Sequence, residues 1–346
     1  MAGKKRINLA LQGGGAHGAF TWGVLEVLLK DPEIEIAGIT GTSAGALNGA
    51  ALKSGMIRKG SQGALENLDG LWRRMGAMSV TDIGNWFGGL GPDPGQVARA
   101  MEYSLPYTMG ETMARMISPY SYGPLYSNPL KSIVEGFDFS EVCAADGPRL
   151  FVCATNVRTG KARVFTKDEI TTDVILASAC LPTMFQAVEI EDPETGLKDA
   201  YWDGGYTGNP ALFPLFDNRL PDDVVIININ PIERKEKPVT PQQIQSRINE
   251  ISFNAALLGE LRAISFVQRL IGQGAVAEGE MKSVKVHMIA DDDLMNDLSV
   301  ATKSVPTPYI LARLKEAGQK AAEDFLKAHR GDIGKRGTVD LQEMFT

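Results

Sequence analysis

The apolar run Ile36-Ala37-Gly38-Ile39-Thr40 ends in Gly41-Thr42-Ser43-Ala44-Gly45, and no other feature of the chain constrains its fold as strongly. A serine between glycines, after a strand-length apolar segment and before a helix-forming one, is the sequence form of a nucleophile elbow. A strand turns sharply into a helix there, and the serine takes strained dihedrals that expose its hydroxyl at the corner. The flanking glycines are needed because side chains would collide with strand and helix. The helix that follows, from Ala44 to about Ser54, aims its N-terminal N–H groups at the same point and favours developing negative charge. Alone, G-x-S-x-G is a weak signal, because small residues gather in many strand-to-helix turns.

The surrounding chain supplies the context. Ile7 to Leu11 reads as a buried strand and Gly18 to Lys30 as a helix packing Phe20, Val24, Leu25 and Leu28. Asp31-Pro32 ends that helix, and Ile36 to Thr42 is the second strand. Strand–helix–strand–helix alternation implies parallel pairing with crossover helices. Further strands are predicted at Arg149–Thr155, Ala162–Thr166, Tyr201-Trp202, Val224–Ile229 and Ser283–Ile289, with a short helix from Thr172 to Ala179 before Leu181-Pro182. Helical spacing recurs in Ile244–Ile271 (Ile244, Ile248, Ile251, Leu258, Leu261, Ile264) and in Pro308–Leu326. Either helix could touch lipid or a partner, although an amphipathic helix more often packs on its own core. The tail after Arg330 is polar and is expected to be loose. Residues from about 84 to 129 are rich in Gly and Pro. They hold Tyr103, Tyr107, Tyr120, Tyr122 and Tyr126 with Met101, Met109, Met113 and Met116. This segment reads as a lid over an active site or, equally, as a structural subdomain.

Composition narrows the function classes. With 346 residues the chain can bury a large core. A net charge of −7 argues against nucleic acid as a partner and against recruitment to anionic membrane by bulk charge. Cys143, Cys153 and Cys180 are odd in number and lack C-x-x-C spacing, so they read as reduced and buried. The start is not a signal peptide, and no stretch approaches the ~18 apolar residues of a membrane span. The default expectation is a cytoplasmic protein, with export that needs no cleaved signal left open.

Gly13-Gly14-Gly15-Ala16-His17-Gly18 has two readings. As a dinucleotide fingerprint it needs an acid at the far end of the second strand. Glu33 and Glu35 lie at the near end instead, and Gly41-Thr42-Ser43 occupies the far one. As an oxyanion hole, the three glycines Gly13, Gly14 and Gly15 let backbone N–H groups share a pocket beside Ser43. Donors of this kind typically contribute roughly 3 kcal/mol each in acyl transfer. A base for Ser43 must come from elsewhere. His17 belongs to the glycine loop, His287 to a strand and His329 to a surface helix. A Ser43–Asp203–His287 triad would have the chain order of α/β-hydrolases, but in that fold the nucleophile follows several strands rather than the second. Asp203, closing Tyr201-Trp202 and followed by Gly204-Gly205, is the better candidate. A dry pocket would raise its basicity above that of an aspartate in water.

Four blocks, Gly13–Gly18, Gly41–Gly45, Ala177-Ser178-Ala179-Cys180-Leu181-Pro182 and Asp203-Gly204-Gly205, resemble in order and spacing those of patatin-like phospholipases over residues 7 to 215. The resemblance implies a three-layer α/β/α fold with a mostly parallel central sheet. It also implies a Ser–Asp dyad that hydrolyses acyl esters of lipids without calcium or cofactor. Carried over, Ser43 is the nucleophile, Asp203 the base and Gly13–Gly15 the oxyanion hole, with His17, Gly41, Gly45, Gly204 and Pro182 in support. His17 stands where that family usually has Arg or Lys. The expected organisation is a catalytic domain over 1–230, with the inserted lid at about 84–129, and a C-terminal helical region over 231–346 packed on it. The expected partner is a lipid or acyl ester, with peripheral membrane contact compatible with the chain. Two readings of other classes stay open: a nucleotide-binding oxidoreductase using the Gly13–Gly18 loop, and a lipid-binding protein of the same fold without turnover.

Overall fold

A computed structural model describes residues 3–78, 118–191, 196–234, 236–277, 279–298 and 300–345. Among the described residues eight strands form one sheet: β1 (Lys5–Leu11), β2 (Ile34–Gly41), β3 (Arg149–Asn156), β4 (Ala162–Thr166), β5 (Val188–Glu191), β6 (Lys198–Asp203), β7 (Asp223–Ile227) and β8 (Lys285–Ile289). The order is β5-β6-β3-β2-β1-β7-β8, with β4 also pairing to β3. β3, β2, β1, β7 and β8 run parallel, whereas β4, β5 and β6 pair antiparallel. The fold class is therefore α/β with a mostly parallel central sheet, as the strand–helix alternation predicts.

Parallel strands need crossovers and burial on both faces. The helices supply both: α1 (Gly18–Lys30), α2 (Ala44–Ala77), α3 (Thr172–Ser178), α4 (Pro241–Gly272), α5 (Asp292–Asp297), α6 (Val300–Ser304) and α7 (Pro308–His329). Along β7, Val225 and Ile227 enter the core shared with α1, α2 and α7. Val224 and Ile226 point the other way, into the core under Leu257, Leu261 and Ile264 of α4. This period-two alternation makes three layers from one sheet.

Three elements differ from their sequence expectation. α2 continues well past Ser54 because Gly60, at φ 63°, breaks the helix and lets it resume. Its second half returns Trp72 to donate to Asn48 Oδ1 at 2.9 Å. The tail after Arg330 is not loose. Ile333 and Leu341 are buried, and the N–H groups of Thr338 and Val339 donate to the Val286 carbonyl. It thereby covers the outer edge of β8, a position where unpaired strand groups would otherwise face water. In α4 the apolar stripe divides: Leu261 and Ile264 are buried, whereas Ile244, Ile248 and Ile251 are about half exposed. Thr240 and Gln243 cap this helix reciprocally, with Pro241 in its first turn.

Most of the expected lid falls on residues 79–117, outside the described residues. Its end is described, and the hydroxyls of Tyr120 and Tyr126 accept the N–H groups of Ala187 and Gln186. No helix among the described residues is long and apolar enough to cross a membrane.

Candidate active site

The site forms where two strands meet end to end. β2 pairs with Arg149–Val152 of β3, ending at Gly41 opposite Val152. β6 pairs with Ala154–Asn156 from the opposite direction, ending at Asp203 opposite Ala154. β4 covers Phe151–Thr155, so β2 and β6 must share the other edge of β3. Their C-terminal ends thus converge and bring Ser43 and Asp203 together.

Ser43 occupies the corner with φ 55° and ψ −121°, positive φ in a residue with a side chain. The strain is held by neighbours. Ser43 N–H donates to Ser178 Oγ at 2.9 Å, and the Ser178 hydroxyl donates to Cys153 O at 2.6 Å. Thr42 Oγ1 donates to Gly208 O at 2.6 Å. Gly41, Gly45 and Gly204 all pack against backbone, with Gly45 against Leu11 O and Gly204 against Cys153 O.

Asp203 is almost wholly buried. Its N–H donates to Cys180 O at 2.8 Å, its carbonyl accepts from Thr155 Oγ1 at 2.8 Å, and Gly205 N–H donates to its Oδ1 at 2.7 Å. Burial pushes its pKa up to about 7, against the opposing hydrogen bonds from Gly205 N–H and the Ser43 side chain. A carboxylate tuned this way accepts a proton near neutral pH. Tyr206 and Phe253 stack edge to face at 5.1 Å beside the Asp-Gly-Gly turn.

The glycine loop lies directly on Ser43: a Cβ built on Gly13 would stand 2.6 Å from Ser43 Cβ. Gly15 has φ +58°, a conformation suited to glycine. Gly13 N–H is taken by Asn209 Oδ1 at 2.6 Å, which removes it from the donors available to a ligand. The N–H groups of Gly14 and Gly15 have no acceptor among the described residues.

The other sequence candidates are placed as follows. His17 is buried, with Nε2 at 2.8 Å from Thr302 Oγ1 and Nδ1 without a partner. Burial first, then Lys303 and Arg234, holds its pKa well below the ordinary value, so it is neutral. Pro182 lies partly buried in the turn that follows α3. His287 binds Asp223 Oδ1 through Nε2 at 3.0 Å and Thr338 Oγ1 through Nδ1 at 3.2 Å. Asp223 opens β7, whereas Ser43 follows the C-terminal end of β2, so the triad variant is not assembled. His329 pairs with Asp332 at the end of α7. All three cysteines are free. Cys153 and Cys180 are buried with thiol pKa values pushed up to about 12, but Cys143 is only half-buried, contrary to expectation.

Sequence reasoning missed Ser178 as the acceptor of Ser43 N–H, and Asn209 and Asn230 as holders of Gly13. Ser178 lies inside one of the four blocks, which was a usable signal. The asparagines carried none.

A mostly parallel α/β sheet with a strained serine at a strand–helix corner, faced by a buried aspartate, defines the class of this molecule. A family model described as Patatin-like phospholipase matches residues 9–216, and the chain belongs to the patatin-like phospholipase family. Among solved structures it is similar to VipD from Legionella pneumophila at 14% identity and TM-score 0.43, covering 94% of this chain and 67% of that one. It is also similar to the ExoU–SpcU complex of the type III secretion system of Pseudomonas aeruginosa, at 15% identity and TM-score 0.30. That match covers 96% of this chain and 62% of the other. The chain thus spans about two thirds of the length of either structure. No curated protein matches it.

Proposed function

We propose that this protein is a lipid acyl ester hydrolase acting through a Ser43–Asp203 dyad and an acyl-enzyme. The observation that carries the reading is the meeting of Ser43, at its strained corner, with the buried Asp203, whose carboxyl is acted on by the Ser43 side chain and whose pKa is raised to about 7. In this reading Asp203 takes the Oγ proton as Ser43 attacks the ester carbonyl. The N–H groups of Gly14 and Gly15 hold the tetrahedral oxyanion. Asp203 returns the proton to the leaving alcohol or lysolipid, then draws one from water so that hydroxide cleaves the acyl-enzyme. Family membership supports a lipid substrate. The glycine loop packed against Ser43 supports oxyanion binding over a dinucleotide. The stacked Tyr206 and Phe253 beside Asp203 offer an apolar wall to an acyl chain.

The test combines a fluorophosphonate probe with mixed phospholipid vesicles, applied to the wild type, Ser43→Ala and Asp203→Asn. Labelling at Ser43 with fatty-acid release, both lost in the variants, is the expected result. A protein that binds vesicles but takes no label and releases nothing would be a lipid-binding member without turnover.

A further inference from the structure

The glycine loop is gripped from outside the family-matched region. Lys303, on α6, reaches it once directly and once through Asn230. Its backbone carbonyl packs so closely on Gly15 that a Cβ there would stand 2.3 Å away. Its ammonium donates to Asn230 Oδ1 at 3.0 Å, and Asn230 Nδ2 donates to Gly13 O at 2.7 Å. The preceding residue, Thr302, meets His17 Nε2 at 2.8 Å. The start, middle and end of the loop are therefore each fastened to one short segment near the end of the chain.

That segment is itself anchored. Glu250 on α4 lies 3.8 Å from Lys303 Nζ and takes a two-pronged bond from Arg234 at 2.9 and 2.6 Å. Arg234 also donates to Asn296 O, and Asn254 Nδ2 donates to the carbonyls of Asn230 and Pro231. Gln12, the residue before the loop, accepts from Ile229 N–H, Asn230 N–H and Asn230 Nδ2. His17 is neutral, and Lys303 and Arg234 are the cations that act on it. Positive charge near the loop thus comes from this cluster rather than from the loop itself.

We propose that Lys303 is a positioning residue for the oxyanion loop, holding the N–H groups of Gly14 and Gly15 in donor geometry by fixing the loop directly and through Asn230, and setting a positive charge beside it. The catalytic part rests on the dyad reading above. The mechanical part does not. Preorganised donors stabilise an oxyanion because they need no rearrangement at the moment of reaction. A loop made of glycines has the largest conformational freedom to lose, so its order must come from outside.

The experiment compares the full-length wild type with Lys303→Met and Lys303→Arg. Amide hydrogen exchange is measured over residues 12–18, and kcat and KM are measured on a water-soluble acyl ester. Glu250 keeps Arg234 in the methionine variant, so no buried carboxylate is left without a cation. The expected result for Lys303→Met is roughly tenfold faster exchange confined to the loop, and kcat lowered about tenfold at unchanged KM. Lys303→Arg should recover most of both. Wild-type exchange in the methionine variant overturns the proposal. So does exchange raised equally in β3 and unrescued by arginine, which would mark a merely structural residue. Raised KM at unchanged kcat overturns it as well. If the wild type hydrolyses no ester, the dyad reading fails, and the exchange data still decide the brace.

Discussion

Ser43 and Ser178 are joined by a 2.9 Å hydrogen bond from the backbone N–H of the first to the hydroxyl of the second. The same hydroxyl donates to Cys153 O, so one side chain ties the elbow to β3. Next to it, Cys180 O receives Asp203 N–H. The turn that ends α3 therefore sets the distance between Ser43 and Asp203. Replacing Ser178 by alanine takes the hydroxyl partner from the part-buried Ser43 N–H and the buried Cys153 carbonyl. A loss of about 1–3 kcal/mol in urea unfolding is expected. The fluorophosphonate labelling rate at Ser43 should fall at least roughly tenfold, because the elbow relaxes.

The dihedrals of Ser43 predict a stability difference between two variants that lack its hydroxyl. Both Ser43→Ala and Ser43→Gly lack the hydroxyl, but only glycine adopts φ 55° without steric cost. Thermal unfolding should find Ser43→Gly more stable than Ser43→Ala by about 1 kcal/mol. Equal stability would mean that the corner relaxes freely.

In the proposed dyad, Asp203 sets the pH dependence of activity. The base works ionised, and its pKa is raised to about 7. Ester hydrolysis at fixed substrate should therefore rise with pH through about 7 and level off above it. A profile flat from pH 5 to 8 would contradict a desolvated aspartate base.

The same shift runs through stability with the opposite sense. The folded carboxyl holds its proton up to about pH 7, against an ordinary 3.8. Between those values the folded state binds more protons than the unfolded one, so stability is full below about pH 4 and is lost as pH rises through about 7. Glu260, whose two oxygens accept Leu212 N–H, is raised to about 7 by burial and acts in the same direction. Asp203→Asn should be more stable than the wild type at pH 8 by on the order of 2 kcal/mol, with little difference at pH 4. Urea titrations at the two pH values measure this.

His287 separates structure from chemistry. It is buried between Asp223 and Thr338 and stacks edge to face on Phe325. His287→Ala should cost about 2–4 kcal/mol, since it opens a cavity and strips a partner from Asp223. The folded fraction should keep its labelling rate at Ser43. Loss of labelling without loss of stability would restore the triad.

The architecture was legible wherever the signals are local. Apolar runs bounded by glycine or proline marked most strands, and the glycine loop, the elbow and Asp203-Gly204-Gly205 stood out as short patterns. β5 escaped because Val188–Glu191 alternates with acids and offers no apolar run. The second half of α2 escaped because Gly60 reads as a stop, while the structure uses it as a kink. The tail escaped because its polar composition hides two anchoring residues, Ile333 and Leu341.

From its sequence alone this protein is determined to carry a strand–serine–helix corner, a glycine loop one strand away and an aspartate before paired glycines. Each of these is written in neighbouring residues, where backbone sterics and hydrophobic period leave few options. Tertiary structure decided how they meet. It turned β6 antiparallel so that it abuts β2 along one edge of β3. It removed Gly13 N–H from the donor set by way of Asn209, and it dried the pocket that lifts Asp203 to about 7. It also brought Lys303 from the far end of the chain to the glycine loop. Hydrogen-bond partners and desolvation depend on what lies nearby in space, and no spacing along a chain encodes that.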